Sequence, residues 1–396
     1  MFGSDATGGL VTINGSGPRQ GDWAHKAFVP NVLPRTNPPL SNRTVVEIGN
    51  ARASLASLDS TARLMPNPSL LRRPTLQREA QSTSALEGTY APLSEVLTAD
   101  EEAPPGSNMR EILNYVGMAS HAFLWVADGR PISLAMLCDL QRILVRATPA
   151  EGASSGQIRD IQVVIGRRPD AAPAELPVRA ARFIPPPPGD DLRAGIQELV
   201  DWMRSDDQDE IDPVVAAAMT HYQFETLHPF HDGNGRIGRL LVVLQLHARG
   251  VLTEPTLTVS PWFEARRAEY YDRLLSVSTD GRWDEFIQFF AVGIRESAAS
   301  THRQMMSLVR VQEELKERVR ASRLRADTAH SLVDYAVANP SFTVRAVERD
   351  LNLSYARANG LVGQLVDLGI LQGLRSTVYN RRFYAPEVMQ VLLDAQ

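Results

Sequence analysis

The sequence predicts a mainly α-helical protein with one short β-hairpin, and three observations carry that prediction. Apolar residues recur at helical spacing over most of the chain, while strict alternation is confined to residues 158–166. The polar loop HPFHDGNGRIGR, residues 228–239, has helical sequence on both sides. With 396 residues there is room for two or three domains and a sizeable core. Hydrophobic residues at 43% and charged ones at 22% describe an ordinary globular composition. A formal net charge of −5 gives no global attraction to nucleic acid or to an anionic membrane. No apolar run approaches about 18 residues, so no membrane partner is expected. The opening MFGSDATGGL lacks the basic-then-apolar pattern of a secretory signal. Cys138 stands alone, which excludes an internal disulfide framework and a Cys-based zinc site, and its apolar neighbours suit a structural thiol. A cytoplasmic setting fits all of these.

Taken in order, residues 1–20 are rich in Gly, Ser and Thr and are expected to be mobile. Residues 21–39 place Trp23, Phe28, Val29 and Leu33 among prolines, which suits an extended segment on a domain surface. Val46, Ile48, Leu55, Leu58 and Leu64 predict a helix over 43–64, and residues 76–91 an amphipathic helix ending at Gly88. An acidic and proline-rich stretch follows, then a helix over 109–127. Ser133 is placed to cap the next helix. After a flexible turn at 151–156, residues 158–166 read as a strand or hairpin. Residues 181–188 read as a loop whose prolines form a rigid connector. A helix over 191–203 leads to an acidic, solvated linker at 205–210. Asp212-Pro213 is a helix start, with a capping side chain and a proline in the first turn. The helix after the polar loop stops at Gly250. Helices are predicted over 261–275, 283–295 and 300–325. The last carries Met305, Leu308, Val311 and Leu315 on one face, as a connector or a dimer face.

The polar loop concentrates chemistry. Gly233 and Gly235 let the backbone turn tightly and approach an anion. The amides that open the following helix carry the positive end of its dipole and can hold phosphate. Arg236 and Arg239, three residues apart, offer forked donors for phosphate oxygens. Asp232 is a hard oxygen ligand suited to Mg2+ bridging phosphates. His228 titrates near neutrality and is the natural general base.

The loop resembles the Fic signature HPFx[D/E]GNGRxxR, with every fixed position met. Fic proteins mostly transfer a nucleotide monophosphate, usually AMP from ATP, to a hydroxyl of a target protein. The resemblance implies His228 as base, Asp232 as metal ligand and Gly233-Asn234-Gly235 as anion hole. It also implies Arg236 and Arg239 as phosphate contacts, with Phe230 in the nucleotide site. The related Doc kinases carry a bulkier residue and a lysine in the GNG stretch, so Gly233 and Gly235 favour nucleotidyl transfer. Upstream, Thr83, Glu87 and Gly88 resemble the Fic inhibitory motif [S/T]xxxE[G/N]. In that family the glutamate pairs with the second signature arginine, here Arg239, where the terminal phosphate must sit. Downstream, the family usually reads FxxNRxxYYxxL with the asparagine near the adenine; here Arg266 replaces it, as a candidate to stack on adenine, bond its edge or prefer another base, and Tyr271 is a candidate wall of the base pocket. The family's β-hairpin flap corresponds to residues 158–166, where Arg159 reads as structural.

Residues 326–396 change character. Helices over 328–338, 344–350 and 355–368 precede a strand pair, an order that resembles a winged helix-turn-helix. Tyr355, Arg357, Asn359 and Gln364 would face outward, with Arg375, Arg381 and Arg382 on the wing. The expected organisation is an N-terminal region with the inhibitory motif (1–107), a Fic core (108–299), a linker helix (300–325) and the winged module (326–396). The implied function is self-inhibited adenylyl transfer from ATP to a Ser, Thr or Tyr hydroxyl, including self-modification. A nucleotide-sensing DNA-binding regulator and an enzyme that removes AMP are the alternatives. Many relatives are dimers, so a homodimer is expected, and DNA is a candidate partner of the last module.

Overall fold

The computed structural model describes residues 2–3, 6–17, 21–64, 72–100, 104–205, 210–322, 324, 326–374 and 381–394. The chain begins with an antiparallel hairpin, β1 (Gly8–Gly17) and β2 (Gly21–Pro30), in register from Gly8 opposite Pro30 to Gly17 opposite Gly21. This corrects the expected mobility of the amino terminus. Two of its glycines make space: a Cβ on Gly15 would lie 2.2 Å from the Trp23 ring, and one on Gly8 2.7 Å from that of Phe28. Leu10, Val11, Thr12 and Ile13 supply the β-favouring side chains between them.

Helix α1 (Asn42–Leu64) buries Ile48, Ala51, Leu55, Leu58 and Ala62, one stripe at spacings of three and four. The predicted Leu64 lies outside the residues whose side chains are described, and Val46 is exposed. Helix α2 (Arg72–Leu86) carries Thr83, with Glu87 and Gly88 just beyond its end. It is not the amphipathic helix expected, because Thr75, Gln77, Glu79, Ser82, Thr83 and Ser84 are buried beside its apolar residues. The short α3 (Leu93–Thr98) leads to α4 (Gly106–Ala127) and α5 (Leu134–Val145). Ser133 caps α5 through the Met136 amide at 3.2 Å.

The flap is smaller than predicted. Only β3 (Ile165–Arg167) is strand, and after α6 (Pro177–Ala180) it pairs with β4 (Ala181–Phe183), part of the expected proline-rich loop. Ile13 and Ala27 of the amino-terminal hairpin pack on Val178, Ala181 and Ile184 of the flap. The Phe28 amide donates to the Ile184 carbonyl at 2.9 Å. Helix α7 (Asp190–Arg204) precedes the central pair, α8 (Pro213–Leu227) and α9 (Asn234–Ala248). Residues 206–209 of the predicted acidic linker lie outside the described residues. Asp212 caps α8 through the Val214 amide at 2.8 Å, and Gly250 follows α9 at φ +68°.

The helix expected over 261–275 is two: α10 (Ser260–Ala265) and α11 (Arg267–Asp280), broken at Arg266. The two helices expected over 283–325 are one, α12 (Trp283–Arg320). No Gly or Pro interrupts the joint at 296–300. Ile287, Ala291, Ile294, Ala298, Thr301, Met305, Leu308, Gln312, Leu315 and Val319 hold one buried stripe along it. That stripe packs on α1 and on the carboxyl-terminal helices within this chain. The carboxyl-terminal part is α13 (Ala326–Ala338), β5 (Phe342–Thr343), α14 (Val344–Asp350), α15 (Tyr355–Asp367), β6 (Gln372–Gly373), β7 (Arg382–Tyr384) and α16 (Pro386–Asp394). Its strands form one antiparallel sheet in the order β5-β7-β6. This module rests on α2: Arg73 donates to Asn339 at 3.1 Å, and Arg78 to the Leu392 carbonyl at 3.3 Å. No helix among the described residues is long and apolar enough to cross a membrane.

Candidate active site

The 228–239 loop is built by its own residues. His228 ends α8 in the left-handed region, at φ 49°, with its amide on the Phe224 carbonyl at 2.9 Å. Asn234 closes the loop twice over. Its Oδ1 accepts from the Phe230 amide and its Nδ2 donates to the Phe230 carbonyl, each at 2.8 Å. Gly233 turns the chain into α9 at φ +89°, a region that side chains rarely adopt. Arg159 fastens the loop from outside. Its amide donates to the Pro229 carbonyl, and its side chain to the carbonyls of His228, Ile161 and Pro186. Burial lowers the Arg159 pKa to about 10.

A cavity of about 390 Å³ opens beside this loop. His228, Gly235, Glu225 and Thr226 contribute from α8 and the loop, and Leu86 and Glu87 from the end of α2. The flap adds Arg167, Arg182 and Phe183, and α11 adds Arg267, Tyr271 and Leu274. Of the residues named from sequence, Glu87, His228, Gly235 and Tyr271 line it; Thr83, Gly88, Phe230, Asp232, Gly233, Asn234, Arg236, Arg239 and Arg266 do not. Phe230 is fully buried in the core near Phe224. The Arg266 guanidinium stacks 4.3 Å from the Trp262 ring, and its neighbour Arg267 turns to the cavity instead. The helix break at Arg266 makes that one-residue difference. The Tyr271 hydroxyl donates to the Leu86 carbonyl at 3.3 Å, and burial pushes it up to about 12.

Arg239 and Arg236 are each 1% exposed. Arg239 donates from Nε to Thr83 Oγ1 at 2.7 Å, and from Nη2 to the Thr83 carbonyl at 3.1 Å and Glu87 Oε1 at 2.6 Å. Desolvation would raise the Glu87 pKa, but Arg239, with Arg236 and His228 beyond it, holds it below the ordinary value. Gly88 follows at φ +94°. Glu87 lies against the loop glycine, since a Cβ on Gly235 would sit 2.0 Å from its Oε1. Arg236 is held differently, by Glu111 on Nη1 and by Asp232 Oδ1 on Nη2 at 3.0 Å. That use of its fork departs from the expected free phosphate contact.

His228 is half-buried, and burial depresses its pKa to about 4, against smaller raising contributions led by Glu87. The imidazole is therefore neutral at pH 7 and able to accept a proton. Glu225 was not singled out from sequence. Its carboxyl is pushed up to about 8, first by burial, and its Oε1 is buried without a hydrogen-bond partner. Glu79 and Glu111 were also missed, being in sequence ordinary carboxylates on helices. Glu79 accepts from the Ser260 hydroxyl at 2.5 Å and amide at 3.0 Å, tying α2 to α10. Cys138 is half-buried and its thiol pKa is raised, first by burial, which disfavours a thiolate.

Asp232 Oδ1 accepts from the Gly233 amide at 2.7 Å and from Arg236, while the side chain stays 46% exposed. Among the described residues no cluster of three or more His, Cys, Asp or Glu can hold a metal ion. Mg2+ fits here only as an ion that takes one protein carboxylate and completes its shell with phosphate and water.

In the carboxyl-terminal module Tyr355, Arg357, Asn359 and Gln364 are exposed on α15. Arg381 is exposed, whereas the side chain of Arg382 turns inward to the Ser341 hydroxyl and carbonyl. Arg375 lies outside the described residues.

Two family models match the chain: the Fic/DOC family over residues 131–246 and the Fic/DOC family N-terminal over residues 45–124. The protein adenylyltransferase fic-1 of Caenorhabditis briggsae is 29% identical over 68% of this chain and 49% of its own length. Its Caenorhabditis elegans counterpart is 30% identical over 56% of this chain and 39% of its own length. The chain thus spans about half, or less, of these curated relatives. A Fic family protein from Desulfovibrio desulfuricans G20 shares the fold, with a TM-score of 0.54 over 88% of this chain and 98% of that one, at 19% identity. With its signature loop intact and both family segments matched, this chain belongs to the Fic/DOC family.

Proposed function

We propose that this protein is a self-inhibited adenylyltransferase that moves AMP from ATP to a hydroxyl side chain of a target protein or of itself. The observation that carries the reading is one juxtaposition: a neutral imidazole and an anion seat share one cavity, and the chain's own Glu87 carboxylate fills the seat. A Ser, Thr or Tyr hydroxyl gives its proton to His228 Nε2 as its oxygen attacks the α-phosphorus, and pyrophosphate leaves. The α9 amides and the cation of Arg239 stabilise the phosphates, so positioning and charge do most of the work. Mg2+, held by Asp232, would neutralise phosphate charge when bound. Glu87 on Arg239 excludes the terminal phosphate.

Intact mass spectrometry of wild type, Glu87→Gly and Glu87→Gly/His228→Ala, each with Mg2+ and each of the four nucleoside triphosphates, tests this. One AMP on Glu87→Gly alone, with ATP alone, is expected. Equal labelling of wild type and Glu87→Gly overturns the inhibitory role, and labelling of the double variant overturns the base.

Removal of AMP is the second reading, favoured by the placement of Glu87 on the same cavity as His228, where it can also orient water. Release of AMP from a labelled target by wild type, lost in Glu87→Gly, separates it from the first. We read residues 326–396 as a winged helix-turn-helix, supported by the order of α13 to β7 and the polar exposed face of α15. DNA is its candidate partner, checked by a salt-dependent gel shift. A lone half-buried cysteine suits a cytoplasmic protein, and light scattering tests the expected homodimer.

A further inference from the structure

We propose that Glu111 is a positioning residue for the triphosphate site, acting through Arg236 on Asp232. The inference deepens the adenylyl-transfer reading and rests on it.

Arg236 leaves the first turn of α9 and is almost wholly buried, so its charge needs carboxylates close by. Two meet it, one on each Nη, and they come from different places. Asp232 is four residues earlier in the loop, whereas Glu111 belongs to α4, 125 residues away. The fork is planar and rigid, so fixing one Nη fixes where the other points. Glu111 therefore determines the direction from which Arg236 holds Asp232. On Asp232, Arg236 and the Gly233 amide both bond Oδ1. The donors gather on one oxygen, which leaves the other oxygen of this 46% exposed side chain for an ion. Arg236 is thus a strut that aims a carboxylate, while Arg239 is the arginine at the anion seat. Glu111 has one more partner: the same oxygen accepts the Thr89 hydroxyl at 3.0 Å, two residues beyond Glu87. The inhibitory segment and the strut share this carboxylate.

Glu111→Gln keeps the shape and removes the charge; Glu111→Asp keeps the charge at shorter reach. Both are made in the Glu87→Gly protein, and calorimetry measures Mg2+ affinity in the presence of a non-hydrolysable ATP analogue, beside the melting temperature. Loss of a group that orients a metal ligand costs roughly 10- to 100-fold in metal affinity. The expected result is about a tenfold rise in the Mg2+ Kd for Glu111→Gln at unchanged melting temperature, with partial rescue in Glu111→Asp. An unchanged Kd, or a Kd that weakens only with the melting temperature, overturns the proposal alone. No analogue binding by the Glu87→Gly reference overturns the adenylyl-transfer reading together with it.

Discussion

Arg236 and Arg239 stand three residues apart, are equally buried, and are held by opposite kinds of partner. Arg239 takes its carboxylate from Glu87, at the turn that ends α2, with the side chain 32% exposed. Arg236 takes one from Glu111, within α4 and 19% exposed, and one from its own loop. A group at a helix end can leave by a local change of backbone, whereas one inside a long packed helix cannot. On the proposed function, two identical side chains thus serve as a seat with a removable occupant and as a fixed strut. The surroundings of α2 fit this contrast. It is clamped by Glu79 on Ser260 and by the carboxyl-terminal module through Arg73 and Arg78, so Glu87 leaves only if the end of the helix yields.

The contrast breaks if the two seats respond alike. Freeing Arg239 with Glu87→Gly removes a charged hydrogen bond of about 1.5–3 kcal/mol. Transfer should rise roughly ten- to a hundredfold in an initial-rate assay, whereas Glu111→Gln should weaken metal binding. The same sign for both variants would end the distinction. Gly235→Ala sharpens it. The new methyl meets Glu87 Oε1 and also fills the anion seat, so no gain in transfer is expected although Glu87 is displaced. Activation comparable to that of Glu87→Gly would place the phosphates elsewhere.

The pH profile tests whether Glu87 also acts on the base. His228 must be neutral to accept a proton, and its pKa lies near 4, below the ordinary 6.5. In the Glu87→Gly protein kcat/KM should stay level from neutral pH down to about pH 5 and fall only at lower pH. Loss of the Glu87 charge moves that limb further toward acid, because Glu87 raises the His228 pKa. A limb centred between pH 6 and 7 would contradict the buried, neutral base. Smallest in effect is Ser260→Ala. It leaves the buried Glu79 carboxyl, already raised by burial, short of a donor. A loss of about 1–3 kcal/mol is expected. It should read as a lower melting temperature with a slight rise in basal transfer as α2 loosens. Unchanged stability would remove Glu79 from the clamp.

Much of the site was legible because its chemistry is compressed into twelve residues, 228–239. The rest was hidden for definable reasons. The amino-terminal hairpin looked mobile because its glycines read as freedom, when they make room for Trp23 and Phe28. That Arg266 stacks on Trp262 while Arg267 lines the cavity was hidden because the break between α10 and α11 was not anticipated. Arg382 looked like a wing contact until Ser341 took its fork.

By itself the sequence determined the local order of this protein: the caps at Asp212 and Ser133, the turn at Gly233 and the buried stripes of α1 and α12. These follow from side-chain period, capping hydrogen bonds and backbone sterics, which act over a few residues. It also determined that an imidazole, a carboxylate and two arginines meet in one loop. The resemblance pointed Glu87 at Arg239, but only the tertiary structure decided that Glu111 answers Arg236 and Glu79 answers Ser260, because such carboxylates are alike until packing brings each to its partner. Glu87 reaches Arg239 across 152 residues and Glu111 reaches Arg236 across 125. A charge pair forms where burial removes water and fixes geometry, and neither condition is written in the spacing of the chain.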